Sequence, residues 1–179
     1  MGSLNQTALL TFFTVVLWLV ACQVNSSDAL CPSGGYVHSN NNSICVRMSQ
    51  DKRSWDSAKA ACEKSGDTLL VLDTLELITW FKTQRKTLKA WKTNEPVWIG
   101  SKRTGGKWKW YGRVDGSPFL PATYQSGKPL FKPASTTSKT VCVKVQGLPD
   151  FSWAEGDCGS ARKYMCERPS LQDNLVIWG

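Results

Sequence analysis

Cysteine placement constrains the fold of this chain more than any other feature. The sequence holds seven cysteines. Cys22 lies in an apolar N-terminal run, and six follow it, at Cys31, Cys45, Cys62, Cys142, Cys158 and Cys166. An even set of cysteines is typical of a disulfide framework in an oxidising compartment. Spacing alone leaves the pairing of these six cysteines open.

The N-terminal run has the form of a secretory signal. Residues 8–22 are apolar but too few for an ordinary membrane span, and small residues precede a cleavage point at Cys22. We therefore predict a signal peptide at residues 1–22, with residue 29 as the alternative cleavage point. An uncleaved membrane anchor is the competing interpretation. Because no second apolar span follows in the sequence, we expect a soluble, secreted, extracellular protein without a membrane span.

The remaining length suits one domain. We assign residues 31–168 to this domain and residues 169–179 to a short C-terminal tail. N-glycosylation sequons occur at Asn25 and Asn41. Asn41 is the better candidate, since Asn25 lies beside the cleavage point.

Capping residues and apolar periodicity predict two helices. Ser54 as N-cap and Gly66 as the stop frame the first helix, and the second runs from about Leu75 to Leu88. Short strands are predicted at residues 68–72, 96–100, 108–111, 141–145 and 163–166. Gly105-Gly106 is predicted as the turn between the strands at 96–100 and 108–111. Residues 117–139 are rich in Pro, Gly, Ser and Thr and form a long stretch without periodicity. A loop of that length inside a compact domain is either functional or a sign of a wrong assignment.

Several sequence motifs occur in a characteristic order. They are Cys31-Pro32, Trp55 through Cys62, Trp98-Ile99-Gly100, Trp108-Lys109-Trp110 with Asp115-Gly116, and Trp153 with Cys158 and Cys166-Glu167. Together they resemble the long form of the C-type lectin-like domain. The resemblance implies an α+β fold in which two helices flank small antiparallel sheets, with a long irregular loop and three disulfides. It also implies the disulfides Cys31–Cys45, Cys62–Cys166 and Cys142–Cys158.

The same resemblance identifies a degenerate calcium site. Members of this family hold a sugar-binding Ca²⁺ with a Glu-Pro-Asn or Gln-Pro-Asp triplet and a Trp-Asn-Asp triplet. The matching positions here are Lys128, Leu130, Ala154 and Glu155. Ca²⁺ needs about six to eight oxygen ligands, and of these four side chains only Glu155 supplies a carboxylate. We expect no metal at these positions and no cofactor, although a weak Ca²⁺ at a non-standard site stays open.

Positive charge is concentrated in the middle of the chain. The formal net charge is +8, and residues 82–132 contain twelve basic and two acidic residues. Such a segment favours polyanions, whereas a merely solvated surface is the alternative interpretation. The candidate ligand-binding residues are a stripe on the second helix, two loop lysines and one carboxylate: Lys82, Arg85, Lys86, Lys89, Lys128, Lys132 and Glu155. Trp91 is considered either as a surface stacking residue or as a core residue.

These features predict a secreted binding protein that recognises anionic glycans or other extracellular polyanions independently of the usual Ca²⁺ site. A structural component of the extracellular matrix, of the biomineral type, is one alternative, and a module that binds a protein partner is another. Nucleic acid is disfavoured by the compartment, and the oligomeric state stays open. We expect no enzyme, because the sequence contains no catalytic triad, metal-ligand cluster or phosphate-binding loop.

Overall fold

The computed structural model describes residues 31–39, 43–113, 131–132, 141–147 and 151–171, and of Phe131 and Lys132 it gives the backbone. The predicted signal peptide, both sequons at Asn25 and Asn41, the loop positions Lys128 and Leu130, and the tail beyond residue 171 lie outside these residues. Within the described ranges, no helix is long and apolar enough to cross a membrane.

Two helices form where the capping residues predict them. Helix α1 spans Trp55–Lys64, and the Ser54 hydroxyl accepts a hydrogen bond from the Ser57 N–H. Just beyond its C-cap Ser65, Gly66 adopts a left-handed conformation with φ of 73° that favours glycine. Helix α2 spans Leu75–Thr87, and Thr74 Oγ1 accepts from the Leu77 N–H at 3.2 Å. Both predicted helices are therefore confirmed.

Nine strands of the described residues form one sheet. They are β1 Val37–Ser39, β2 Ile44–Met48, β3 Thr68–Leu69, β4 Val97–Thr104, β5 Lys107–Trp110, β6 Phe131–Lys132, β7 Val141–Val145, β8 Trp153–Gly156 and β9 Lys163–Pro169. The strand order is β1-β2-β9-β4-β7-β8-β6, with β3 beside β9 and β5 beside β4. The pairs β4–β9 and β6–β8 are parallel. The α+β class is thus confirmed, with mixed rather than purely antiparallel pairing.

Two hydrophobic clusters fill the interior, and Trp98-Ile99-Gly100 on β4 lies between them. The Trp98 indole N–H donates to the carbonyls of Arg53 and Ser160, at 3.1 and 3.3 Å, so this buried side chain has its polar atom satisfied. A Cβ at Gly100 would lie 2.8 Å from the Tyr111 carbonyl oxygen. Glycine is therefore needed at position 100, where the backbone at Tyr111 passes close to β4.

The three disulfides join the pairs that the resemblance implies. Cys62–Cys166 links α1 to β9 across the interior, with both cysteines fully buried. The bond from Cys142 ties β7 to the turn after β8, and the bond from Cys31 ties the N-terminal residues to β2. The predicted disulfide framework is confirmed in full.

Candidate functional site

The exposed basic surface lies at the C-terminal end of α2 and in the turn that follows. Lys86, Lys89 and Lys92 are exposed there, and we call these three residues the α2 lysine face. No carboxylate of the described residues forms an ion pair with them. The Lys86 ammonium lies 5.9 Å from the centre of the Phe151 ring. Lys82, one turn earlier, is half-buried. Lys92 is not among the ligand-binding residues predicted from the sequence, although it belongs to the basic segment 82–132.

The segment that holds this face is anchored to the interior. After the helix ends, the N–H groups of Trp91 and Lys92 donate to the Leu88 carbonyl at 3.0 and 2.9 Å. The Trp91 side chain is 2% exposed and makes an edge-to-face contact with Trp80. The interpretation of Trp91 as a surface stacking residue is therefore wrong, because Phe81 and Trp80 enclose its indole ring.

Arg85 does not belong to the lysine face. Its side chain is 0% exposed, and it donates weakly to the carbonyls of Thr93 and Glu95 at 3.4 and 3.5 Å. Its guanidinium lies 5.9 Å from the Phe151 ring, and burial lowers the pKa of Arg85 to about 10. The predicted placement of Arg85 in an exposed stripe is wrong, because the buried face of α2 is wide enough to include it.

Replacing Arg85 by methionine tests this assignment. We expect R85M to keep the free energy of unfolding within about 1 kcal/mol, because a buried cation without a carboxylate partner gains little from its charge. Affinity for polyanions should change less than twofold, whereas R85A should destabilise the fold by creating a cavity. Urea denaturation and binding to a sulfated glycan measure the two effects. A large loss of affinity in a stable R85M would return Arg85 to the ligand surface.

Part of the predicted positive charge is neutralised by carboxylates. Lys102 pairs with Asp56 at 2.8 Å, and its ammonium lies over the Trp55 ring. Arg113 binds Glu167 and Asp73, each at 2.9 Å. Burial raises the pKa of Glu167 to about 7, although the neighbouring Arg113 opposes the shift. These basic residues stabilise the fold around β4 and the start of the long loop. The positive electrostatic potential that a ligand meets therefore comes from fewer side chains than the charge count of residues 82–132 suggests.

The described part of the degenerate calcium site does not fit a cation. Ala154 lies on β8 and supplies no side-chain oxygen. The Glu155 side chain is 2% exposed, and Arg103 lies 3.6 Å from its carboxylate. Lys144 of β7 and Lys132 of β6 occupy the register positions on either side of Ala154. Neighbouring basic residues would repel a divalent cation.

The positions of Glu155 and Lys132 bear on two of the predicted ligand-binding residues. Glu155 is buried against Arg103 rather than presented to a ligand, so its predicted role is wrong. Lys132, predicted from its position in the long loop, pairs with β8 beside Ala154. In the described ranges, no group of three His, Cys, Asp or Glu side chains is placed to hold a metal ion.

Comparison with known sequences agrees with this fold. A model of the Lectin C-type domain family matches residues 51–168. CD209 antigen of Papio hamadryas is 26% identical over 129 residues, covering 69% of this chain and 32% of that protein. CD209 antigen of Macaca mulatta is also 26% identical over 129 residues, covering 69% of this chain and 28% of that protein. The chain therefore spans about a third of the length of these curated relatives.

Solved structures with the same fold include both sugar-binding and other proteins. The carbohydrate-recognition domain of mouse scavenger receptor C-type lectin superposes with a TM-score of 0.59 at 22% identity, covering 78% of this chain and 96% of that chain. A calcium-independent type II antifreeze protein superposes with a TM-score of 0.57 at 22% identity, covering 79% and 96%. These likenesses establish the fold alone. Since the family match spans most of the described sheet and both helices, the chain belongs to the C-type lectin domain family.

Proposed function

We propose that this protein is a secreted binding protein that recognises extracellular polyanions through the α2 lysine face, with sulfated or uronic glycans as the favoured class. Members of its family are binding proteins, and we assign no catalytic activity to it. Recognition does not use the family's usual Ca²⁺ site, because Ala154 and Glu155 are unsuited to hold the ion.

The observation that supports this proposal is the set of exposed lysines without carboxylate partners on an anchored segment. Lys86 lies in the last turn of α2, and Lys89 and Lys92 follow in the turn held by the buried Trp91. Such an arrangement presents several cations at fixed spacing, which suits a polymer with repeated negative groups. An anchored segment also loses less conformational entropy on binding than a flexible tail would lose.

A glycan array read under three conditions tests the proposal. We expect binding to sulfated or uronic glycans that survives a calcium chelator and weakens as salt is raised, because exposed charges are screened. Chelator-sensitive binding to neutral sugars would contradict the account of the calcium site. Silence under every condition would remove the glycan proposal and favour the protein-binding or matrix alternative.

Neutralising two lysines of the α2 lysine face should weaken polyanion binding. Each exposed lysine near a polyanion contributes about 0.5–1 kcal/mol, so K86Q/K89Q should bind roughly five- to thirtyfold more weakly. Affinity for a sulfated glycan, measured by surface plasmon resonance at fixed ionic strength, checks the effect. The slope of log affinity against log salt should also become shallower.

The matched control removes the same charge from other surfaces. Lys64 in the last turn of α1 and Lys107 on β5 are both exposed, so K64Q/K107Q lowers the net charge equally. We expect K64Q/K107Q to lose less than threefold in affinity. Equal losses in the two double variants would show that binding depends on net charge alone and would rule out a defined face.

A further inference from the structure

A second basic cluster surrounds the indole ring of Trp98, outside the α2 lysine face. The Arg162 guanidinium lies 5.1 Å from the centre of this ring. Gly156 brings β8 close to the same ring: a Cβ there would lie 2.8 Å from Trp98 and 3.3 Å from the Lys144 Cδ. Lys144 and Arg162 are thus gathered around one buried aromatic ring, and each is half-buried.

We infer that Lys144 and Arg162 form a binding site for a single anionic group, a sulfate or a carboxylate, on this face of the sheet. Both residues carry a positive charge, and no carboxylate of the described residues forms an ion pair with either of them. Two like charges that are partly withdrawn from water repel each other, and an anion between them removes that repulsion.

Two carboxylates, on the segments before Arg53 and after β8, have other partners. Asp51 accepts hydrogen bonds from Arg53 Nε and from the Tyr164 hydroxyl, at 2.6 and 3.0 Å. Asp157 accepts from the Gly159 N–H and the Ser160 hydroxyl, at 3.2 and 3.3 Å. Consistent with an uncompensated cluster, desolvation and then the charge of Arg162 lower the pKa of Lys144. A bound anion would reverse that effect and raise the pKa of Lys144.

The sheet register shows which residues lie beside Lys144. Lys144 pairs with Ala154 of β8 and with Trp98 of β4, so the three residues lie in one row across the sheet. Cross-strand neighbours in such a row share a face. Ala154 is small, so the register position next to Lys144 carries no long side chain that would compete with a compact tetrahedral or planar anion.

This site is independent of the proposed function. It lies on β7 and on the residues just before β9, whereas the proposed function rests on Lys86, Lys89 and Lys92. It would accept an anionic group whatever polymer binds to the α2 lysine face.

Titration with small anions tests the inference. Sodium sulfate and sodium glucuronate are added in separate experiments, with sodium chloride at matched ionic strength as the reference. The Trp98 indole N–H and the backbone amides of Ala154 and Gly156 are followed by NMR. We expect saturable shifts with sulfate or glucuronate and none with chloride. Saturation by sulfate alone would assign the site to sulfate groups, and saturation by glucuronate alone would assign it to carboxylates.

Variants determine whether the two cations are responsible. K144Q and R162Q should each weaken sulfate or glucuronate binding by about tenfold, because each removes one charge-assisted contact. R162K, which keeps the charge, should retain most of the affinity and guards against loss through misfolding. K64Q should be unchanged within twofold, and so should K86Q/K89Q. Linear shifts shared with chloride, or unchanged affinity in both K144Q and R162Q, would overturn the inference.

Discussion

Replacing Cys62 and Cys166 together by alanine is expected to lower the free energy of unfolding by about 4–5 kcal/mol. This disulfide closes a sequence separation of 104 residues, the longest of the three. In the chain-entropy account, a crosslink stabilises by restricting the unfolded chain, and longer loops gain more. Both sulfurs are also buried in the cluster that contains Trp55 and Trp98. Urea denaturation followed by tryptophan fluorescence measures the change.

The short N-terminal disulfide provides the matched comparison. Cys31–Cys45 closes a separation of 14 residues, and C31A/C45A should cost about 3 kcal/mol in the same account. The difference between the two double variants, roughly 1–2 kcal/mol, isolates the effect of loop length. Equal costs would mean that local packing, rather than restriction of the unfolded chain, determines what each disulfide contributes.

The features predicted correctly from sequence have local or combinatorial signals. Ser54 and Gly66 mark the ends of α1 by the hydrogen-bonding and conformational preferences of single residues. The hairpin between β4 and β5 turns at Gly105 and Gly106, which both adopt positive φ angles. The disulfide pairing followed from the ordered set of motifs, since the cysteine spacing by itself left it open.

The errors lie where distant strands determine the surroundings of a side chain. Periodicity places Arg85 on the same side of α2 as Lys82 and Lys89. Its burial depends on Met48 of β2 and on Phe151, which contact its guanidinium from far along the sequence. Nothing within the helix itself signals those contacts.

Glu155 illustrates the same limit in the sheet. Its carboxylate is neutralised by Arg103 of β4. The two residues meet because β4 and β8 flank the same strand, β7. The cluster of Lys144 and Arg162 around Trp98 likewise depends on the register of β4, β7 and β8. The basic segment is evident in the sequence, but the sequence does not show which of its members pair with carboxylates. The register of the strands determines which lysines remain exposed and which stabilise the fold.

A buried carboxylate should be the most sensitive charged group in the described structure. Asp67 is 0% exposed at its side chain and accepts hydrogen bonds from Tyr36 Oη at 2.6 Å and from Arg47 Nε at 2.9 Å. Arg168 Nε donates to its other oxygen. The Tyr36 ring lies 5.4 Å from the Arg47 guanidinium and 5.0 Å from that of Arg168. One carboxylate thus joins residues from before β1, from β2 and from β9.

Replacing Asp67 by alanine is expected to lower the free energy of unfolding by about 3–5 kcal/mol, because two partly buried guanidiniums would then face each other without a counter-charge. D67N keeps the shape and one acceptor oxygen, so it should cost less than D67A but more than a surface change. E63Q, at an exposed position of α1, is the control and should stay within about 0.5 kcal/mol of the parent.

The double variant D67A/R47M distinguishes two causes of destabilisation. One is the loss of the attraction between Asp67 and its partners, and the other is new repulsion between the guanidiniums of Arg47 and Arg168. If unpaired cations cause the damage, removing Arg47 as well should recover part of the stability, since only Arg168 would remain without its partner. If the damage comes from lost hydrogen bonds alone, the second substitution should recover no stability and should add the cost of the Arg47–Tyr36 hydrogen bond. Urea denaturation of the four proteins in this cycle gives the coupling free energy between Asp67 and Arg47. A coupling near zero would show that Asp67 stabilises the fold through Tyr36 and Arg168, and that the cation pair is not the source of its effect.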